Sequence, residues 1–316
     1  MISSHSEAQG VGSVKSKVAF VLLLILSFVS AAALTFINSA YLEDNYLYSN
    51  DVPTVILPIL AFVIAFIALV GMLSVNKKSY STSSLPEKGI SSMYVVSLML
   101  VAVYLVIFVM YVLYGAFDIG YGAPIKNNAD LLEKLEMATL CYQIMIVLTP
   151  IAPIYFVLAG LKKKINAFFG SLTLLWVLAY ILRLYFDVTD WVMSPRKLSM
   201  ICATCFAALF ILYEVRFAFS RGNARKYFFV CALTASFEFS AGLAGVVSSI
   251  IGVYPSSFEI PYYMAALMIG VYAFIRLYSL AFASVKTEEP EEIEETEDNE
   301  GSNEAEESVE SEGSES

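Results

Sequence analysis

The stretch VVSLMLVAVYLVIFVMYVLYG, residues 95–115, runs for twenty-one residues without one charged side chain. That length decides the fold class. A bilayer's hydrocarbon core takes about 20 apolar residues of helix to cross. A spanning β-strand would show instead about ten residues of alternating polarity, and no such alternation is present here. Seven further stretches read the same way, so that spans are expected at about 17–38, 53–75, 92–114, 137–161, 166–186, 198–220, 226–251 and 258–284. The whole-chain composition agrees, with 58% hydrophobic and 15% charged residues and a mean hydropathy of +0.70. These values lie outside the soluble range. The expected architecture is all-α: a polytopic membrane bundle of eight transmembrane helices, with a short polar leader (1–16), a membrane domain (17–285) and an acidic tail (286–316).

Three prolines fall well inside these spans, away from their first turns: Pro58 in the second and Pro150 and Pro153 in the fourth. Proline removes a backbone donor and displaces the carbonyl four residues earlier, so both helices are expected to kink there, the fourth at Pro150 and Pro153. The first span, KSKVAFVLLLILSFVSAAA (15–33), also has the basic start, apolar middle and small-residue end of a signal peptide. Its removal would leave seven helices in the same orientation.

That orientation follows from lysine and arginine, which concentrate in cytoplasmic loops. With the N-terminus inside, fourteen of the 19 basic residues fall on the cytoplasmic side, leaving Lys126, Lys134, Arg183, Arg196 and Lys197 outside. Both termini are then cytoplasmic in a plasma membrane. Single cysteines at Lys163 and Arg225 should therefore react with a membrane-impermeant reagent only from the cytoplasmic side, and one at Asn128 only from outside. Labelling of intact cells at position 163 would reverse the topology.

The tail, TEEPEEIEETEDNEGSNEAEESVESEGSES (287–316), carries fifteen of the chain's 29 acids and almost no apolar residues. Like-charge repulsion and the entropy of ordering predict disorder. A basic protein partner and the protein's own lysine-rich loops are its two candidate contacts. The bilayer is the expected partner of the membrane domain, and no nucleic-acid partner is expected.

Enzyme chemistry finds little support. The one histidine is His5, in the leader, which argues against histidine metal sites and Ser-His or Cys-His catalysis. No phosphate-binding loop of the G-x-x-x-x-G-K-[ST] kind occurs. Asp187 and Asp190 in FDVTDW form an ordinary pair of loop acids. Cys141, Cys202, Cys205 and Cys231 all fall inside spans and read as buried small apolar residues. No catalytic, metal-ligating or cofactor-binding residue is assigned.

The stretches DWVMSPRKLS (190–199) and ILYEVRFAFSRGNARKYF (211–228) resemble parts of uncharacterised multi-pass membrane proteins of Gram-positive bacteria, in which a comparable acidic-then-basic helix end recurs. The resemblance implies a bacterial plasma membrane and no catalytic activity.

Charges inside the spans are the remaining candidates. Glu214, Glu238 and Arg276 lie in the sixth, seventh and eighth spans, about 9, 18 and 12 Å from the cytoplasmic boundary at 1.5 Å per residue. Side chains tilt toward their own helix N-terminus, which brings the three depths closer. The connections RGNARK and VYPSSFE are short, so the seventh span should pack antiparallel to both neighbours. A three-membered cluster is expected, with Ala241, Gly245 and Ser249 as a close-packing stripe and Ser236 and Ser240 as hydroxyl donors beside Glu238. One arginine neutralises one of two acids, so the cluster is either a structural ion pair or a proton or cation site at Glu238. Three function classes fit: a permease for a small solute or ion first, a non-catalytic sensor or assembly subunit acting through the tail close behind, and an enzyme acting on a lipid third.

Overall fold

The computed structural model describes residues 14–43, 47–49, 51–75, 90–113, 129–162, 166–186, 194–254 and 259–282. Among these, nine helices form: α1 (Val14–Tyr41), α2 (Val52–Ser74), α3 (Ile90–Leu113), α4 (Ala129–Leu148), α5 (Ala152–Lys162), α6 (Ala167–Phe186), α7 (Pro195–Ala218), α8 (Ala224–Ile250) and α9 (Ile260–Phe282). The only β-type pairing among the described residues is an isolated bridge between Leu42 and Tyr48. Eight spans are long and apolar enough to cross a membrane, with α4 and α5 together making the fourth. The chain is an all-α, multi-pass integral membrane protein. Residues 1–13 of the leader, the tail, Lys163, Asn128, Asp187, Asp190 and Trp191 lie outside the described residues.

The two proline expectations diverge. The fourth span is not merely bent: it breaks at Thr149–Ile151 between α4 and α5. Two prolines three residues apart remove two donors within one turn, and side-chain hydrogen bonds hold the broken segment. Thr149 Oγ1 donates to the Met145 carbonyl at 2.6 Å and accepts from Trp176 Nε1 at 2.9 Å, while Thr173 Oγ1 of α6 donates to the Ala152 carbonyl at 2.8 Å. In α2, by contrast, Pro58 leaves the helix continuous from Val52 to Ser74. The other proline of α2, Pro53, lies in its first turn, where no donor is needed, so Pro58 removes one interior donor without a second to compound it.

Helix starts follow local chemistry. Asn166, Ser194 and Asn223 offer side-chain oxygens to the first free backbone N–H groups of α6, α7 and α8, at 3.0, 3.4 and 3.1 Å respectively. Pro195 occupies the first turn of α7, where no donor is wasted. The tight passage from α7 to α8 is made by Ser220 in the left-handed region (φ 53°) and an Arg221 N–H donated back to the Arg216 carbonyl at 3.0 Å.

Helix α8 is the centre, packed by α1, α2, α7 and α9. The span with the highest hydropathy, α2, is the least buried, and the one with the lowest, α8, is the most buried. Lipid tails are as apolar as leucine, so in a bilayer the polar groups go inward and the greasiest helices go outside. The close-packing residues of α8 are Gly242 and Gly245. A Cβ on Gly242 would stand 2.4 Å from the backbone N of Leu267, and one on Gly245 would enter the Tyr263 ring. Gly270 of α9 meets the Phe239 backbone in the same way. The expected stripe thus keeps Gly245 but replaces Ala241 and Ser249 with Gly242, because α9 rather than α1 is the near neighbour.

The cysteines also divide. Cys141 and Cys231 are buried, whereas Cys202 and Cys205 are exposed on α7, and all four are free. This corrects the expectation that all four are buried. The outside of a membrane bundle is as apolar as its core, so lying within a span does not imply burial.

Candidate functional site

Two of the three predicted charges meet. Glu214 of α7 and Arg276 of α9 are almost wholly buried, with the guanidinium Nε 2.8 Å from Glu214 Oε1. The Nε–H does not point along that line, and the directed bond runs from Arg276 Nη2 to the Tyr272 hydroxyl at 2.9 Å. Three tyrosines complete the carboxylate's shell. Tyr227 donates to Oε1 at 2.7 Å, Tyr272 donates to Oε2 at 3.4 Å, and Tyr155 makes a short hydrogen bond to Oε2. A carboxylate has about four lone-pair positions; three take tyrosine hydrogen bonds, and the guanidinium lies against Oε1. The centre ties together α5, α7, α8 and α9, and its two charges compensate each other. Tyr155 and Tyr227 had no distinguishing signal in the sequence, while Tyr272 did: it stands four residues before Arg276, on the same helix face.

Glu238 stays apart from this pair. The expected three-membered cluster does not assemble, and the reason is the register of α8 on α9. Gly270 is level with Phe239, and Cys231 donates its thiol to the Ala273 carbonyl at 3.0 Å. Arg276 is therefore level with residues near 232, roughly six residues or 9 Å along the axis from Glu238. Ser240, expected to donate to Glu238, turns to the Ser27 carbonyl of α1 at 3.0 Å and to its own helix at Ser236.

Glu238 is 1% exposed, and its Oε2 has no hydrogen-bond partner. On α3, Tyr104 is fully buried with an equally unpartnered hydroxyl, and the two groups lie within electrostatic range. Buried polar atoms are almost always satisfied, so two orphans within range of each other mark out this part of the bundle.

Comparison with protein families, curated proteins and solved structures finds no match. The site therefore has to be read from its own chemistry.

From Tyr104 a column of rings runs along α6 and α9 toward the end of α6. Tyr104 packs on Trp176 at 4.7 Å, Trp176 stacks on Tyr180 at 5.7 Å, and Tyr180 stacks on Tyr262 at 5.1 Å. The Tyr262 and Tyr111 hydroxyls share a short hydrogen bond. Arg183, four residues before Asp187 in the sequence, lies with its guanidinium over the rings of Tyr262 and Tyr142, at 5.1 and 5.4 Å. Because Trp176 also donates to Thr149, the break in the fourth span joins this column. No group of three or more potential metal ligands occurs among the described residues.

Proposed function

We propose that the protein is a permease-like carrier of a small solute or ion in a bacterial plasma membrane, with Glu238 as its coupling residue. The observation that carries this is the buried, unpartnered Glu238 carboxylate oxygen, within electrostatic range of the equally unpartnered Tyr104 hydroxyl, in a bundle whose fourth span is broken. Ionisable residues at mid-membrane without a structural partner characteristically serve ion or proton movement. Discontinuous helices near the bilayer midplane are where transporters bind substrate and coupling ion. Glu214 and Arg276 have the opposite role: their network locks four helices and leaves Glu238 as the uncompensated one of the two acids.

The test is flux. Wild-type protein in sealed vesicles should dissipate an imposed proton or sodium gradient, and Glu238→Gln should abolish this while eluting and melting like wild type. Gln keeps the size and one carbonyl oxygen but cannot exchange a proton. Equal flux in the two proteins, or no gradient dissipated by wild type, would remove Glu238 from a coupling role. A non-catalytic sensor or assembly subunit is the alternative, and the close backbone contact of α8 with α9 at Gly242 and Gly270 favours it, since that contact resists sliding.

A further inference from the structure

A second space in the bundle lies on the other side of α8. A cavity of about 460 Å³ opens among α1, α2, α7 and α8, walled by Leu34, Leu57, Ala61, Leu198, Phe237 and Ala241. That volume is within the ~300–1,000 Å³ typical of small-ligand sites. Its walls are apolar, with hydroxyls at the two ends: Tyr48 and Thr54 at the rim, Ser30 and Ser240 in depth. Burial pushes the Tyr48 phenol up to about 12, so it stays protonated and donates to Asn38 Oδ1 at 3.1 Å. Asn38 in turn donates to the Tyr254 hydroxyl at 2.7 Å, so the rim is pinned to the end of α8.

We infer that this cavity holds one acyl chain of a bilayer lipid. Depth is the first argument. Along α2 the lining runs from Pro53, in the first turn, to Ile64, eleven residues or about 16 Å, which is about half of a ~30 Å hydrocarbon core. Helix α1 agrees: Ser30, the inner limit, lies eleven residues before the helix end at Tyr41. The cavity is one leaflet deep, and the lysine and arginine distribution assigns that leaflet to the outside. Access is the second argument. Pro58 of α2 and Leu198 and Cys202 of α7 line the cavity while being exposed on the bundle surface, so it opens sideways to lipid. Chemistry is the third: an apolar void does not retain water, and an empty one forfeits dispersion contacts along every wall. A chain would enter with its ester region at the Tyr48 and Thr54 rim and its methyl end near Ser30.

Ser30 separates this occupant from a polar one. Its hydroxyl is buried and has no partner, and a hydrocarbon chain end supplies none. Removing it should not weaken an acyl chain, whereas it would weaken a ligand held by a hydrogen bond at the inner end.

Native mass spectrometry of the full-length protein, delipidated in detergent and titrated with palmitoyl-oleoyl phosphatidylglycerol, tests the assignment. One bound lipid per chain is expected, retained when phosphatidylcholine replaces it and lost when both chains are shortened to six carbons. Ala241→Trp and Ala61→Phe, which fill the cavity from opposite walls, should each lose the adduct. Ser30→Ala should keep it. Two fillers guard against one that fails to fold, and each is scored only if it elutes as wild type does. Absence of the adduct from wild type, its persistence in correctly folded fillers, retention of the six-carbon lipid, or its loss in Ser30→Ala would overturn the assignment.

Discussion

Arg276→Ala should lower the stability of the detergent-solubilised protein by about 3 to 5 kcal/mol, the cost of breaking a buried ion pair by removing one partner. Alanine leaves the Glu214 carboxylate fully buried with three tyrosine hydroxyls and no cation. It also deletes a side chain that packs on the Tyr272 ring at 5.3 Å. Glu214→Gln should cost less, because the amide keeps an oxygen for the tyrosines. Tyr227→Phe should cost least, about 1.5 to 3 kcal/mol for one hydrogen bond to a charged group. The decisive comparison is Glu214→Leu with Arg276→Met together. Replacing both charges by apolar groups of similar size should recover much of the loss, since the desolvation penalty of each ion disappears with it. Thermal melts of the four variants give the order. A melt for Arg276→Ala within a degree of wild type would mean that the pair carries no structural role.

The spans were readable from the chain because length and apolarity are local properties, and each expected stretch overlaps an observed helix. Breakage at Pro150 and Pro153 was readable as a place but not as a degree, since it depends on the side-chain bonds that Thr149, Thr173 and Trp176 make around the break. The partner of Arg276 was readable by depth. Glu238 was not, because depths counted from span ends carry errors of several residues, and six residues of register separate a contact from none. Tyr104 could not be singled out at all: it is one tyrosine among 20, and only the packing of α3 against α9 and α5 turns it inward. The lateral cavity belongs to the same class. Its walls come from four helices and the α1–α2 connection, and no one of these segments carries a sign of it.

Gly242→Val should rival the arginine in effect, through backbone rather than charge. At Gly242 a Cβ would meet the Leu267 N at 2.4 Å and the Tyr263 carbonyl oxygen at 2.8 Å. Both atoms belong to the main chain of α9 and cannot rotate away, so α8 and α9 must separate along the contact that buries most of both helices. Overpacking of this kind costs about 1 to 3 kcal/mol, more where nothing yields, and the β-branched side chain puts Gly242→Val at or above the upper end. Gly270→Val meets the Phe239 backbone at 2.5 Å and should behave alike. Gly71→Val provides the contrast: there the near atom is the edge of the Phe228 ring at 2.5 Å, the far end of a side chain that can turn, and the loss should be smaller. Glu238 sits four residues from Gly242 and one from Phe239, so parting the two helices also opens the ground between the orphan carboxylate and α9. Water entering there would give Glu238 the partner it lacks. Gly242→Val should therefore melt lower than Gly71→Val and speed hydrogen exchange in α8 around residue 238; equal melts for the two variants would show that α8 and α9 part at little cost.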